Sequence, residues 1–421
     1  MGALHPSGSV VVLGSGQAGT QTVVALRERG FTGSLTLVGE EGVPPYERPP
    51  LSKAYLSGEL DEGQLWLRPE SYYARRSVRR VDGRAVAVDR AAHVVRLADG
   101  SVLGYDHLVL ATGARPRQLP VPGARLRGVH TLRTLRDAAT LRRALAGAAH
   151  PVAIGAGFIG LEFAATARRS GHRVTVVEAL ERPLSRLVTA RTAAHLVRLH
   201  EEQGTELLLG QGVTGFRDDG RGQVAAVELG DGRALPADLV LIGAGVTPRT
   251  ELAKAAGLET DGGVVTDARL LTADPAISAV GDCAVFPDHR SGRRIRLESV
   301  QNATGHARLV AERLTGTHRT YDDLPWFWSD QFTTTVQIAG LAREGGTEVV
   351  LTRDAGAFSV LVFRGRELLA VESVNQPGEH LAARQLLAGP SALSPDEASV
   401  RGFTLKGFLR SRTPSPLPAA R

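Results

Sequence analysis

Two glycine-rich turns of the same form, Gly14-Ser15-Gly16-Gln17-Ala18-Gly19 and Gly155-Ala156-Gly157-Phe158-Ile159-Gly160, constrain this chain more than any other feature. Each follows a short apolar run, Val10-Val11-Val12-Leu13 and Val152-Ala153-Ile154, and opens an apolar helical pattern. In that setting the first glycine permits a tight strand-to-helix turn, the second lets backbone approach a pyrophosphate, and the third lets helix pack on strand. The phosphates then lie at the positive end of the helix. A carboxylate for a ribose hydroxyl is required roughly 20 residues on. Glu40 closes Leu35-Thr36-Leu37-Val38-Gly39 and Glu178 closes Val174-Thr175-Val176-Val177, so both units are complete. The expectation is a chain that holds two dinucleotides and passes something between them.

A length of 421 residues is too great for one core and predicts about three domains. The sequence holds no apolar run of about 18 residues, and Met1 to Ser9 lacks both a basic start and an apolar stretch. A cytoplasmic protein without a membrane span or signal peptide is expected. Cys283 is the only cysteine, which excludes a redox dithiol, a thiolate-held iron–sulfur cluster and a cysteine-rich zinc site. The histidines show no metal-ligand spacing; His195 and His200, on a polar helical stretch, are expected to be solvated, and no metal is assigned. Of 50 basic residues only Lys53, Lys254 and Lys406 are lysines. A lysine kept against that bias inside a motif points to a place where a compact ammonium is needed. The net charge of +6 comes with no basic patch interleaved with aromatics, which argues for an acidic partner and against nucleic acid.

The first strand–helix–strand unit runs from about Ser9 to Glu40. Pro44 to Lys53 follows, its prolines forbidding regular helix before Ser52. Ala85 to Val88 and His93 to Leu97 alternate, with Asp99-Gly100 as a hairpin signal, and Leu108 to Gly113 reads as a buried parallel strand ending in a glycine turn. The second unit closes with Leu239 to Gly245, after which the chain returns to the first domain through Ile277 to Asp282. Phe358 to Phe363 and Leu368 to Val374 predict antiparallel strands of a third domain. The fold class is α/β, two Rossmann-like domains plus a small α+β domain. Residues 1–116 and 247–324 form the first domain, 117–246 the second and 325–410 the third, with 411–421 a flexible, proline-rich tail.

The ordered segments GSGQAG, PPYERPPLSK, LVLATGARPR, GAGFIGLE, ISAVGDCA, RLESVQNA and PWFWSDQ cover nearly the whole chain. In them it resembles the FAD-dependent, NADH-using ferredoxin reductases of the putidaredoxin reductase and aromatic-ring dioxygenase reductase type. These have the glutathione-reductase-like flavoprotein fold without the redox disulfide. The resemblance implies FAD on the first fingerprint (Gly14, Gly16, Gln17, Ala18, Gly19) with Glu40 on the adenosine ribose, and Arg48, Lys53, Val86, Ala111, Arg133, Asp282, Glu298 and Val300 as further cofactor contacts. It implies NADH on Gly155, Gly157, Phe158, Ile159, Gly160 and Glu178, with Arg186 and Gly245 nearby. Lys53 and Glu162 would pair beside flavin N5, and Trp328 would lie near flavin and nicotinamide.

Each assignment has a plainer alternative. Asp282 could cap a helix, Arg133 could be a surface arginine, Val86 could be core, Glu162 could be an acid favoured by the helix dipole, and Trp326 and Phe327 read best as buried core. Departures from the family at Gln301 and Thr304-Gly305-His306 bear on the partner-facing surface. The implied activity is transfer of electrons from NADH through FAD to an acidic [2Fe-2S] ferredoxin that feeds a cytochrome P450 or ring-hydroxylating oxygenase. The alternatives are a signalling flavoprotein like apoptosis-inducing factor, or a monodehydroascorbate or quinone reductase.

Overall fold

The structure, a computed structural model, describes residues 5, 7–341, 346–389 and 393–412. The expected tail therefore lies outside the described residues from 413 on; before it, the helix Leu405–Arg412 ends the described chain. The chain divides into two compact units, one of Met1–Arg117, Arg133–Ala138 and Gly245–Asp323, the other of Gln118–Leu132, Ala139–Ala244 and Leu324–Arg421.

The first unit is built on a parallel sheet ordered Val78–Asp82, Ser34–Gly39, Ser9–Leu13, His107–Leu110, Ile277–Ala279. From Val10 to Leu13 the central strand is apolar at every position because both its faces are covered. Val10 and Val12 pack with Val23, Leu26, Leu309 and Val310 of the helices Gln17–Glu28 and Val300–Leu314. Val11 and Leu13 face the opposite way, against Val95, Leu97 and Leu103 of a three-stranded antiparallel sheet, Ala85–Asp89, Val94–Leu97 and Val102–Gly104. Each such fully buried Val or Leu is worth about 1.5–3 kcal/mol.

The second unit repeats the arrangement. Its parallel sheet runs Glu206–Leu208, Thr175–Val177, Pro151–Ile154, Leu239–Ile242, Val129–Thr131. The two sheets match position for position, except that the outermost strand of the first follows its fingerprint by more than 250 residues and that of the second precedes it. The same unit carries an antiparallel sheet ordered Trp326–Gln331, Thr334–Gly340, Glu367–Val374, Ala357–Arg364, Thr347–Asp354. Helices Pro377–Leu387 and Leu405–Arg412 cover it through Ala383, Leu386 and Leu405.

Candidate functional site

Gly14 lies at φ 111°, its N–H donating to the Val38 carbonyl at 2.8 Å, so the chain leaves the first strand and turns into the helix within three residues. A Cβ on Gly14 would stand 2.1 Å from the Ala111 carbonyl oxygen, and one on Gly19 1.8 Å from that of Gly14. Gly16 is different. It precedes the helix with no side-chain cap, and a Cβ there would meet only the Arg48 guanidinium, at 3.9 Å. The turn is thus closed where protein packs on protein and open over the helix N-terminus, where free N–H donors and dipole favour a phosphate. Gly155 (φ 101°), Gly157 and Gly160 repeat the pattern: a Cβ on Gly160 would stand 1.9 Å from the Gly155 oxygen, whereas the uncapped Gly157 is open. Both cradles fit a dinucleotide pyrophosphate.

Around the first cradle several assigned residues converge. Arg48 donates to Glu41 Oε1 at 2.7 Å, to the Tyr46 hydroxyl at 3.1 Å and to the Arg133 carbonyl. Tyr46 in turn donates to Glu41 and accepts from the Leu135 N–H, and burial raises its phenol above the ordinary value. Arg133 donates to Asp282 Oδ2 at 2.8 Å, which places it in a half-buried ion pair rather than on a solvated face. Asp282 caps no helix: it lies within the one-turn 3-10 helix Gly281–Cys283, whose cap position is Val280. Gly281 (φ 71°) brings this turn against the fingerprint, since a Cβ there would stand 2.8 Å from that of Ala18.

Glu40 follows its strand as expected and is ion-paired with Arg249. Gln17 donates to Thr304, Ala111 donates its N–H to the Leu13 carbonyl, and Val300 opens its helix behind the Ser299 cap. Glu298 is exposed and paired with Arg296 at 2.6 Å; Gly245 has φ 85°. Lys53 joins a 3-10 turn, Pro49–Ser52, to the short helix Ala54–Ser57, its ammonium donating to the Pro49 carbonyl at 3.3 Å. Val86 is 44% exposed, which rules out the core reading.

In the second unit Glu178 accepts from the Ala156 and Leu180 N–H groups at 2.7 and 2.9 Å, so it fastens the turn as well as standing at the expected ribose position. Arg182 folds onto its own loop, donating to the Ser185 and Val188 carbonyls, while Arg186 is exposed, as is Ile159. Trp326 and Phe327 are half-buried, not core. Arg384 stacks 4.1 Å from the Trp326 ring, and Phe327 lies 4.5 Å from Phe158 of the fingerprint. Side chains alternate along the strand, so Trp326 and Trp328 share one face while Phe327 lies on the other with Ser329 and Gln331. Trp328 is half-buried beside both. Glu162, only 3% exposed, accepts from the Ser329 hydroxyl at 2.7 Å.

Two expectations about histidines fail. His195 and His200 are buried, because the antiparallel sheet covers their helix: His195 meets Phe358 edge-on and His200 bonds Gln331 at 3.0 Å. His306 belongs to no partner-facing surface. It is fully buried, accepts the Gly281 N–H at 3.1 Å and lies edge-on to Phe286 and Tyr321, and burial pushes its imidazole down to about 3. It is therefore a neutral support under the Asp282 turn. Sequence reading also assigned no role to Glu41, Tyr46 and Arg249, although Glu41 shortly precedes the proline segment that carries Arg48 and Tyr46 lies within it. Among the described residues no group of His, Cys, Asp and Glu could hold a metal, and no helix is long and apolar enough to cross a membrane.

Two dinucleotide cradles, a structured cluster around the first and a single buried cysteine define a flavoprotein oxidoreductase that works without a dithiol. Residues 8–307 match the pyridine nucleotide-disulphide oxidoreductase family and 326–409 the reductase C-terminal family. The chain is 47% identical to rhodocoxin reductase of Rhodococcus erythropolis over 94% of its own length and 93% of that protein's. The ferredoxin reductase for the CYP199A2 system from Rhodopseudomonas palustris superposes with a TM-score of 0.93 at 43% identity, covering 95% of this chain and 99% of that one. The covalent putidaredoxin reductase–putidaredoxin complex gives 0.93 at 38% identity, covering 97% and 99%. The chain belongs to the FAD-dependent family of ferredoxin reductases that take electrons from NADH.

Proposed function

We propose that this chain supplies electrons from NADH, by way of FAD, to an acidic [2Fe-2S] ferredoxin of a cytochrome P450 or ring-hydroxylating oxygenase, in the cytoplasm. Residues 1–116 and 247–324 would hold FAD, 117–246 NADH, and 325–410 complete the reductase. FAD, when bound, accepts a hydride and releases its electrons singly. The protein's part is to bind and orient. Gly14, Gly16, Gln17, Ala18 and Gly19 offer the backbone cradle and Glu40 the ribose acceptor. Arg48, Arg133 and Asp282 form one braced cluster beside it, with Val86, Ala111, Glu298 and Val300 as outer contacts. Gly155, Gly157, Phe158, Ile159, Gly160 and Glu178 receive the nicotinamide dinucleotide, with Arg186 and Gly245 at its margin and Trp328 toward the rings. Lys53 and Glu162 are assigned to the hydride step.

The observation that carries this reading is the single cysteine beside two complete cradles. Cys283 is fully buried, its thiol directed at the Leu110 and Val280 carbonyls, and burial raises its pKa. With no second thiol to receive them, electrons leave the flavin for an external acceptor. Cys283→Ser should accordingly retain most NADH:ferricyanide turnover, and loss of turnover with FAD still bound would contradict a structural role. The direct test is cytochrome c reduction by the purified protein with NADH, with and without a [2Fe-2S] ferredoxin. Stimulation by the ferredoxin is expected, and equal rates without it would count against the reading.

Glu178 predicts a preference for NADH, since a carboxylate accepts from a ribose hydroxyl but repels a 2′-phosphate. Arg182, spent on its own loop, does not offset it. We expect kcat/KM for NADH to exceed that for NADPH by about 10-fold or more, equivalent to ~1.4 kcal/mol. Parity between the two nucleotides would refute the assignment.

The partner's acidity is supported by the arginines at 75, 76, 79 and 293, all exposed, whereas Arg80, Arg294 and Arg296 are ion-paired with Glu70, Glu259 and Glu298. Steering between exposed charges fades over about 10 Å at 0.1 M salt. Ferredoxin-dependent kcat/KM should fall steeply with salt and on Arg293→Glu, while flavin reduction by NADH stays constant. Insensitivity to both treatments would show that docking is not electrostatic.

A further inference from the structure

Glu162 lies under a continuous run of buried polar side chains. Ser329 and Gln331 are two apart on the strand Trp326–Gln331 and so share a face. That strand packs against the fingerprint helix Phe158–Arg169. Ser329 gives its hydroxyl proton to Glu162 Oε1 at 2.7 Å and accepts from Gln331 Nε2 at 3.2 Å. The Gln331 oxygen faces His200 Nε2 at 3.0 Å, and His200 Nδ1 faces the Thr205 hydroxyl at 3.4 Å. Ser329, Gln331 and His200 are completely buried.

The donor inventory fixes the direction of the run. A serine hydroxyl has one proton, and Glu162 takes it; the amide nitrogen of Gln331 must then point at Ser329 and its oxygen at His200, which requires the proton on Nε2. Every donor therefore points toward Glu162. A buried carboxylate is expensive unless donors surround it, and aligned hydrogen bonds polarise one another. An amide in the middle does not relay protons, so the run orients and charges its end rather than conducting.

We infer that Ser329, Gln331 and His200 are positioning residues that hold Glu162 as an oriented carboxylate for the NADH-to-FAD step. This rests on the assignment of Glu162 to that step. It also accounts for the Ser-Asp-Gln run of the strand: Asp330, pointing the other way, accepts from the Thr335 hydroxyl instead.

The test uses FAD-loaded protein. Ser329→Ala should lower the limiting rate of flavin reduction about 10-fold with half-saturating NADH unchanged, and Ser329→Thr should restore it. Gln331→Glu, nearly equal in volume, would draw the serine proton away from Glu162 and should be at least as slow. Independently of turnover, 15N-histidine NMR should report His200 as the neutral Nε2–H tautomer in the wild type and as imidazolium in Gln331→Glu. Glu162→Gln separates the two ideas. If it is slow while Ser329→Ala is fast, or threonine fails to rescue, or His200 carries its proton on Nδ1, the positioning role is wrong. If Glu162→Gln reduces at the wild-type rate, the role given to Glu162 falls, and the inference with it.

Discussion

Lys53→Met should slow flavin reduction by NADH by about 10-fold to 1,000-fold while FAD remains bound, the range one fixed electrostatic stabiliser supplies. Bound FAD would gain negative charge on reduction, and the Lys53 ammonium, if it is the stabiliser proposed, would favour that change over the starting state. The fold spends considerable local structure on this side chain. Pro49 and Pro50 begin the 3-10 turn, Lys53 takes φ −124° and ψ −111° at the junction, and a new helix starts at Ala54. Arginine should not substitute, because its planar fork is larger and distributes its charge differently. Stopped-flow absorbance of Lys53→Met and Lys53→Arg decides the matter. An unchanged rate in Lys53→Met would reduce the lysine to a brace for the Pro49 carbonyl.

Gly16→Val and Gly19→Val should both lose FAD, for different reasons. At Gly16 the backbone is extended, φ −75° and ψ −166°, and a Cβ meets the protein only at 3.9 Å. The variant should fold, with the side chain filling the space over the helix N-terminus. Its flavin-to-protein absorbance ratio should fall about 10-fold or more, while its far-ultraviolet circular dichroism matches that of wild-type apoprotein. At Gly19 a Cβ lies 1.8 Å from the Gly14 oxygen, so helix and strand must separate, with a loss of soluble protein and of Tm as well as flavin. Full flavin content in Gly16→Val would show that this turn carries no pyrophosphate.

The sequence makes the two cradles legible because their chemistry is local: turn, helix start and acid fall within one strand–helix–strand unit. The parallel strands are legible for a related reason, since a strand buried on both faces is apolar at every position, as in Val10 to Leu13. What escaped notice depends on partners distant in the chain. His195 and His200 read as solvated on a polar helix, because nothing nearby in sequence announces the sheet that covers them. For Asp282, read as a cofactor contact with a helix cap as the alternative, nothing in the sequence announced the ion pair with Arg133, 149 residues earlier. His306 read as surface while its acceptor nitrogen lies under Gly281. Ser329 and Gln331 alternate like any strand residues, and only burial against Glu162 and His200 gives that alternation meaning.

The displaced outer strand has a consequence for biosynthesis. As the chain leaves the ribosome, the second parallel sheet has all its strands by Ile242, whereas the first lacks Ile277–Ala279 until a further stretch has been made. Asp282 and the turn against Ala18 arrive directly behind that last strand. The second parallel sheet can thus be complete while the first still presents His107–Leu110 as an open edge, to be closed by pairing with Ile277–Ala279.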